Sequence, residues 1–319
     1  MNTPLISIIT ATYNRSNVLR YAIECVRQQT LTDWELIVVS DASTDDTADV
    51  VASFEDSRIR FVELERNHGE QSGPNNVGLE LARGQFIAFV NHDDLWMPNH
   101  LEASYSRMLE TGTDVVFGVG VHMRSATDIS LIGQLPPQGF KPVNYIPASC
   151  WLFRRELIER VGKWRSYRDS WLIPSLDWIL RAYRLNATFA SSNQITWIFV
   201  TSTIRKDSYK YRLANTQQEL FGQMQDNQQF REHLFANILL NQHRQQLQYP
   251  VQSLLAQAGR HILYRILILS DYQLMPLWFM LKFRRKGGVI DYLRKERGLS
   301  ALKTTEHSQS ILYHERLAT

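Results

Sequence analysis

Gly84-Gln85-Phe86-Ile87-Ala88-Phe89-Val90-Asn91-His92-Asp93-Asp94 runs an apolar stretch, Phe86 to Val90, straight into a pair of acids. A short continuous apolar run, opened by glycine and closed by polar residues, predicts a strand buried on both faces, as parallel α/β sheets contain. The two carboxylates then fall at the strand end. A divalent cation placed there relieves their repulsion and can itself carry a nucleotide diphosphate. A solvated turn between strand and helix is the plainer use of such a pair, because Asp is a common turn residue.

The same arrangement occurs upstream. Trp34-Glu35-Leu36-Ile37-Val38-Val39 reads as another buried strand and leads into Ser40-Asp41-Ala42-Ser43-Thr44-Asp45-Asp46-Thr47. Ser43 and Asp46 fit a capping box, and Asp45 and Asp46 suit the positive end of the helix that follows. Asp41 precedes the cap, which puts it at the carboxyl edge of the sheet, where open α/β folds bind nucleotides. A third buried strand, Leu5-Ile6-Ser7-Ile8-Ile9-Thr10-Ala11, is followed by Thr12-Tyr13-Asn14-Arg15. The next helix carries Val18, Leu19, Ala22, Ile23 and Val26 at helical spacing, with Ser16 as its expected cap. Tyr13 offers a ring for a base to stack on or a cap to the core, and Asn14 or Arg15 can reach a phosphate.

Taken together, the segments Ser7 to Arg15, Glu35 to Thr47, Asn75 to Ala82 and Gly84 to Asp94 resemble the family 2 glycosyltransferases of the GT-A fold. The resemblance implies a nucleotide-sugar donor, a divalent metal (Mn²⁺ or Mg²⁺), inversion at the anomeric carbon and a glycan or lipid-linked acceptor. It also implies a setting in cell-surface polysaccharide biosynthesis. Carried across by position, Asp41 matches the acid that contacts the base, with Ala11, Thr12 and Tyr13 packed beside it. Asn14, Arg15 and Asn76 complete the implied donor-binding set. Asp93 matches the residue that places the donor sugar or ribose, and Asp94 the metal ligand. In Pro174-Ser175-Leu176-Asp177-Trp178-Ile179-Leu180-Arg181, Asp177 matches the catalytic base; without the resemblance it reads as the N-cap of a helix. The chain departs from the family pattern at Asn91, where an Asp is frequent, at Pro74-Asn75-Asn76, where Ala-Arg-Asn is frequent, and at Leu176, where a Glu is frequent. The missing Arg removes a phosphate contact.

The implied chemistry asks for these residue types. Displacing a nucleoside diphosphate passes through an oxocarbenium-like transition state with charge building on the leaving phosphate, where a metal on Asp94 acts as Lewis acid. The acceptor hydroxyl loses its proton as it attacks, and a carboxylate within hydrogen-bond reach, Asp177 on this reading, takes it.

A chain of 319 residues, 44% hydrophobic and 21% charged, can bury a large core as one domain or as a domain with an appendage. The net charge of +3 is spread along the chain without a recognisable binding motif, which predicts no nucleic-acid partner. Cys25 and Cys150 lie far apart and lack metal-type spacing, so both read as packing thiols of an intracellular protein. The N-terminus shows no basic segment before an apolar run, predicting no signal peptide and a cytoplasmic enzyme.

Strands alternate with helices as far as Asp114-Val115-Val116-Phe117-Gly118-Val119-Gly120-Val121, which predicts a mostly parallel, Rossmann-like sheet flanked by helices. The expected division is a catalytic domain over 1–204, with a nucleotide-sugar-binding half (1–123) and an acceptor half (124–204), and a helical C-terminal extension over 205–319. Ser125 to Pro147, rich in Gly and Pro, reads as a long loop that borders the acceptor or simply connects. Ser149 to Phe153 reads as a strand and Arg154 to Gly162 as a helix with a glycine cap. Trp164, Tyr167, Trp171 and Trp178 can cover sugar faces or fill the core. His68 and His92 have no partner at metal-ligand spacing and read as loop histidines.

Between Ile262 and Phe283 the chain is apolar, but Arg265, Asp271, Gln273 and Pro276 interrupt it and predict no membrane span. Met275, Leu277, Trp278, Phe279, Met280 and Phe283 precede Arg284-Arg285-Lys286, a pairing that suits peripheral contact with an anionic leaflet through 275–286. Packing on the catalytic domain, or on a second copy in a homo-oligomer, uses the same face. Two other classes compete. A non-catalytic nucleotide-sugar binder would keep Asp41 and tolerate loss of Asp177, whereas a sugar nucleotidyltransferase would need a Gly-rich basic loop where Thr12-Tyr13-Asn14-Arg15 stands. A hydride-transferring enzyme is disfavoured, as no G-x-G-x-x-G follows the first strand.

Overall fold

The computed structural model describes residues 3–124, 128–137, 139–142, 146–200, 207–212, 214–225, 227–247, 266, 275–302 and 311–317. Its strands are β1 (Ile6–Thr12), β2 (Trp34–Ser40), β3 (Ile59–Leu64), β4 (Phe86–Phe89), β5 (Leu95–Trp96), β6 (Val115–Met123), β7 (Ile129–Ile132), β8 (Trp151–Arg154), β9 (Phe189–Val200) and β10 (Tyr313–Leu317). They form one sheet in the order β10-β3-β2-β1-β4-β8-β6-β9-β5, with β7 paired to β6. The helices are α1 (Ser16–Arg27), α2 (Thr47–Ala52), α3 (Ser72–Leu81), α4 (His100–Thr111), α5 (Leu157–Val161), α6 (Pro174–Arg184), α7 (Ser208–Tyr211), α8 (Asn215–Met224), α9 (Asn227–Leu247), α10 (Met275–Phe283) and α11 (Gly288–Glu296).

Strands β3, β2, β1 and β4 run parallel, as the three buried apolar runs predict. Beyond β4 the direction changes, because β8 is antiparallel to both β4 and β6. All seven residues of β2 are buried, and its one acid, Glu35, is satisfied rather than solvated. It accepts hydrogen bonds from Ser7 Oγ (2.6 Å), from Arg83 N, Nε and Nη2 (2.9, 3.0 and 2.8 Å) and from Arg60 Nη1 (3.2 Å). Val18, Leu19, Ala22, Ile23 and Val26 form the buried face of α1, as their spacing predicts. Trp164 and Trp178 are core residues: Trp151 lies 6.0 Å from Trp164 and 5.8 Å from Trp178 between ring centroids.

Two expected helix caps are replaced by an exchange between loops. Ser16 is the first helical residue of α1, not its cap; its N–H donates to Asp45 Oδ2 (3.2 Å) and its Oγ to Asp46 Oδ1 (2.5 Å). Ser43 and Asp46 do not close a capping box on α2. Asp45 Oδ1 accepts the Thr47 N–H (3.2 Å), and Ser43 Oγ accepts the Asn14 N–H (3.0 Å). The loops after β1 and β2 lie side by side at the same sheet edge, so Asp45 serves the N-terminus of both helices while Asn14 and Ser43 tie the two loops together. Within the expected loop from Ser125 to Pro147, Ile129–Ile132 instead forms β7, antiparallel to β6. Gly162, at φ +80° and ψ −178°, ends α5 in a positive-φ conformation that favours glycine.

The C-terminal region supplies helices and also an edge strand. β10 pairs antiparallel with β3, with an ion pair between Arg60 Nε and Glu315 Oε1 at 2.7 Å. Among the described residues no helix is long and apolar enough to cross a membrane; most of the apolar stretch 262–274 lies outside the described residues.

Candidate active site

The strand order reverses between β1 and β4, and at that edge the carboxyl ends of β1, β2 and β4 converge on a cavity of about 200 Å³. This is the position at which open α/β sheets bind ligands. From β1 come Ala11, Thr12 and Tyr13, from β2 Asp41, and from the segment after β4 Asn91, His92 and Asp93. Asn67, Gly69, Glu70, Gln71 and Pro74 form the floor leading into α3, and Ile173 and Pro174 at the start of α6 form one side. The far wall comes from α11 and the residues after it: Ile290, Leu293, Arg294, Arg297 and Leu299.

Asp41 is buried, and its oxygens accept the backbone N–H groups of His68 (2.7 Å) and Gly69 (2.9 Å). Gly69 sits at φ +80°, which lets that turn present its amide to the carboxylate. Burial pushes the Asp41 carboxyl up to about 7, against the pull of these two hydrogen bonds and of Arg294. Burial likewise raises Glu70 to about 7. Both groups hold a proton to higher pH folded than unfolded, so stability should fall as pH rises from the usual carboxylate range to about 7 and level off above it. Thermal unfolding across that window is expected to show the decline, with a shallower slope in Asp41→Asn. An equal slope in the variant would remove Asp41 as its source.

Tyr209 of α7 is the centre of an aromatic and cationic group beside the cavity. Its ring stacks on Tyr13 (centroids 6.4 Å apart, 27° between planes), meets His92 edge-on at 6.4 Å, and lies under the Arg15 guanidinium at 5.3 Å. The His92 ring lies with Nδ1 3.2 Å from the Ala11 carbonyl, and burial lowers its affinity for a proton. A neutral ring in that position donates from Nδ1–H.

The expected site residues divide. Ala11, Thr12, Tyr13, Asp41 and Asp93 line the cavity, whereas Asn14, Arg15, Asn76, Asp94 and Asp177 do not. Asn14 bridges loops, its Oδ1 accepting the Thr44 N–H at 2.7 Å. Arg15 is buried and donates from Nη1 to the Ser208 carbonyl at 2.6 Å. Asn76 makes a reciprocal pair with the Trp164 backbone, donating to its carbonyl and accepting its N–H at 2.9 Å each. Asp177 is not the cap of α6. Ile173 holds that position and Pro174 takes the first turn, leaving Asp177 to accept from Arg181 Nε (2.9 Å) and Ser170 Oγ (3.2 Å), with Arg165 at 3.7 Å.

Asp94 is fully buried. Its Oδ2 accepts from Ser149 Oγ (2.5 Å) and Asn91 Nδ2 (2.9 Å), while Oδ1 lacks a hydrogen-bonded partner. Burial, and then the neighbouring Asp93, raise its pKa well above the carboxylate range. Asp93 is the member of the pair that reaches the cavity. Among the described residues no three His, Cys, Asp or Glu gather to hold a metal. Asp93 is thus the carboxylate of the pair that a divalent ion arriving with a diphosphate would meet in this cavity.

Residues 7–162 match the sequence model described as Glycosyl transferase family 2. That stretch, just under half of the chain, is a family 2 glycosyltransferase sequence. Over 118 residues it is 39% identical to the Escherichia coli UDP-Glc:alpha-D-GlcNAc-diphosphoundecaprenol beta-1,3-glucosyltransferase WfgD, covering 37% of this chain and 46% of WfgD. Over 109 residues it is 38% identical to the Bacillus subtilis putative teichuronic acid biosynthesis glycosyltransferase TuaG, covering 34% of this chain and 43% of TuaG. The matched regions thus span less than half of either relative. The crystal structure of S. aureus TarS 1-349 in complex with UDP-GlcNAc shares the fold, with a TM-score of 0.53 at 23% identity over 61% of this chain and 58% of that one. The family 2 match stops at residue 162, so Tyr209 and the wall from Ile290 to Leu299 lie outside it. Neither showed a sequence signal as site residues; both reach the cavity only through the fold.

Proposed function

We propose that this family 2 member transfers a sugar, with inversion, from a nucleotide-diphosphate donor to a hydroxyl of a glycan or lipid-linked acceptor in building a cell-surface polysaccharide. The observation that carries the reading is the convergence of Tyr13, Asp41 and Asp93 on one cavity at the switch point of the sheet. The names of WfgD and TuaG, which concern a diphosphoundecaprenol-linked sugar and teichuronic acid, support the setting. A cytoplasmic location follows as part of the same proposal.

In this reading Tyr13 and Asp41 receive the base, and Arg294 and Arg297 face the diphosphate. Asp93 would hold a divalent ion, which when bound neutralises charge on the leaving diphosphate. Asp177 is proposed as the base. What supports it is its place in the first turn of α6, whose Ile173 and Pro174 wall the cavity. To act it must exchange its bonds to Arg181 and Ser170 for the acceptor hydroxyl.

Calorimetric titration with UDP, GDP, dTDP and CMP, with and without Mn²⁺, tests the donor reading. One nucleotide is expected to bind in a metal-dependent way, and Arg297→Ala to weaken it about tenfold while leaving the parent nucleoside unaffected. No binding by any of the four would overturn the proposal. A non-catalytic nucleotide-sugar binder is the second reading, favoured by the bonds that tie up Asp177. Unchanged turnover in Asp177→Asn would remove it as the base, whereas nucleotide-sugar binding by the wild type without any turnover would favour the non-catalytic binder.

A further inference from the structure

We infer that α10 and the basic turn after it form a docking surface for an anionic bilayer. Phe279 and Phe283 turn inward onto the cluster of Tyr167, Val289 and Ile290, which fastens the helix to the body of the protein. Four other large side chains of the helix point outward: Leu277, Trp278, Met280 and Leu281 are between 37% and 70% exposed. So many large apolar side chains on one short helix make a contiguous patch of the kind that monomeric surfaces avoid unless it binds something.

The charge beside the patch selects what binds. Lys282, Arg284, Arg285 and Lys286 are all exposed and follow directly on the apolar face. Arg285 pairs with Asp291, while Arg284 and Lys286 project at the rim. The Lys282 ammonium lies 5.0 Å from the Trp278 ring centroid and 5.2 Å from that of Phe283, so this cation sits at the boundary of the apolar face. Aromatic and aliphatic side chains bordered by Lys and Arg match the acyl boundary and the headgroups of an anionic leaflet. A second copy docked about a two-fold axis would instead bring the same cations against one another.

The inference stands apart from the proposed reaction, but it has a bearing on it. The four residues 284–287 join α10 to α11, whose Ile290 and Arg294 wall the cavity. Docking through α10 would hold that cavity at the bilayer, where a lipid-linked acceptor resides.

Co-sedimentation of the full chain with phosphatidylcholine vesicles, with or without phosphatidylglycerol, tests it without any nucleotide present. Binding is expected to the anionic vesicles alone and to weaken with salt. Arg284→Ala with Lys286→Ala should lower the partition coefficient about 25-fold, fivefold for each cation. Trp278→Ala with Leu281→Ala should lower it at least about tenfold. Circular dichroism melting separates these effects from unfolding, since all four side chains are exposed. Absent binding, equal binding to neutral vesicles, or folded variants that bind like wild type would overturn the inference. So would a dimer of the wild type that Trp278→Ala with Leu281→Ala dissolves while vesicles bind neither. Because nucleotide titration is separate, failure here leaves the donor reading intact.

Discussion

Asp93→Asn is expected to reduce sugar transfer by about three orders of magnitude, roughly 4 kcal/mol of transition-state stabilisation, with little change in melting temperature. Asp93 is the carboxylate of the adjacent pair that reaches the cavity, and its fold-bearing contact uses the backbone, which accepts from Gln217 Nε2 at 3.3 Å. The side chain can therefore change without unpacking the loop. Asp94→Asn should behave in the opposite way. Asp94 is enclosed and favours its neutral form, so an amide can keep the bonds from Asn91 and Ser149 and leave metal-dependent nucleotide binding in place. Turnover at saturating donor, together with nucleotide titration with and without Mn²⁺, reads both variants. If Asp94→Asn abolishes the metal dependence and Asp93→Asn retains it, the assignment of the ligand to Asp93 is wrong.

Glu35→Ala should cost about 3–5 kcal/mol of stability, enough to leave a typical domain partly unfolded. The carboxylate is buried between β1, β2 and the turn before β4, and it accepts from Ser7, Arg83 and Arg60. Removing it takes the acceptor from the Ser7 hydroxyl and from Arg83 Nε, and leaves Arg60 to Glu315 and the Leu81 carbonyl. Burial alone would raise the pKa of Glu35, but the bonds from Arg83 and Ser7 hold it below the ordinary value. A group depressed in this way stabilises the fold above the unfolded pKa near 4.5 and loses that contribution as pH falls through the folded one. Denaturant unfolding should thus separate wild type from variant widely at neutral pH and less in acid. A difference that stays constant into acid would show that Glu35 acts by packing and not by charge.

The half of the molecule around β1, β2 and β4 was legible because its signals are local: apolar runs of strand length, each ending in polar residues at a sheet edge. Three kinds of information were not local. Neighbouring residues leave an extended segment on opposite sides, so the pattern gave an acidic pair but not which member, Asp93 or Asp94, turns to the cavity. The caps expected at Ser16 and Ser43 failed because the two loops meet in space and exchange partners. Tyr209 and the residues from Ile290 to Leu299 reach the cavity over long sequence separations that no periodicity records. Asp177 is a different case, for its signal was present. Pro174 suits the first helical turn, which moves the cap to Ile173 and leaves Asp177 inside the helix.

The far wall of the cavity has a consequence for inheritance. The floor and the strand ends lie in the stretch shared with relatives, whereas Ile290, Leu293, Arg294, Arg297 and Leu299 belong to a segment outside it. The two sides of one cleft therefore come from stretches of sequence that can vary separately, the strand ends within the family match and the far wall beyond it. On the proposed donor reading, relatives that agree over the matched stretch would differ in donor through substitutions at Leu293, Arg294 or Arg297 alone.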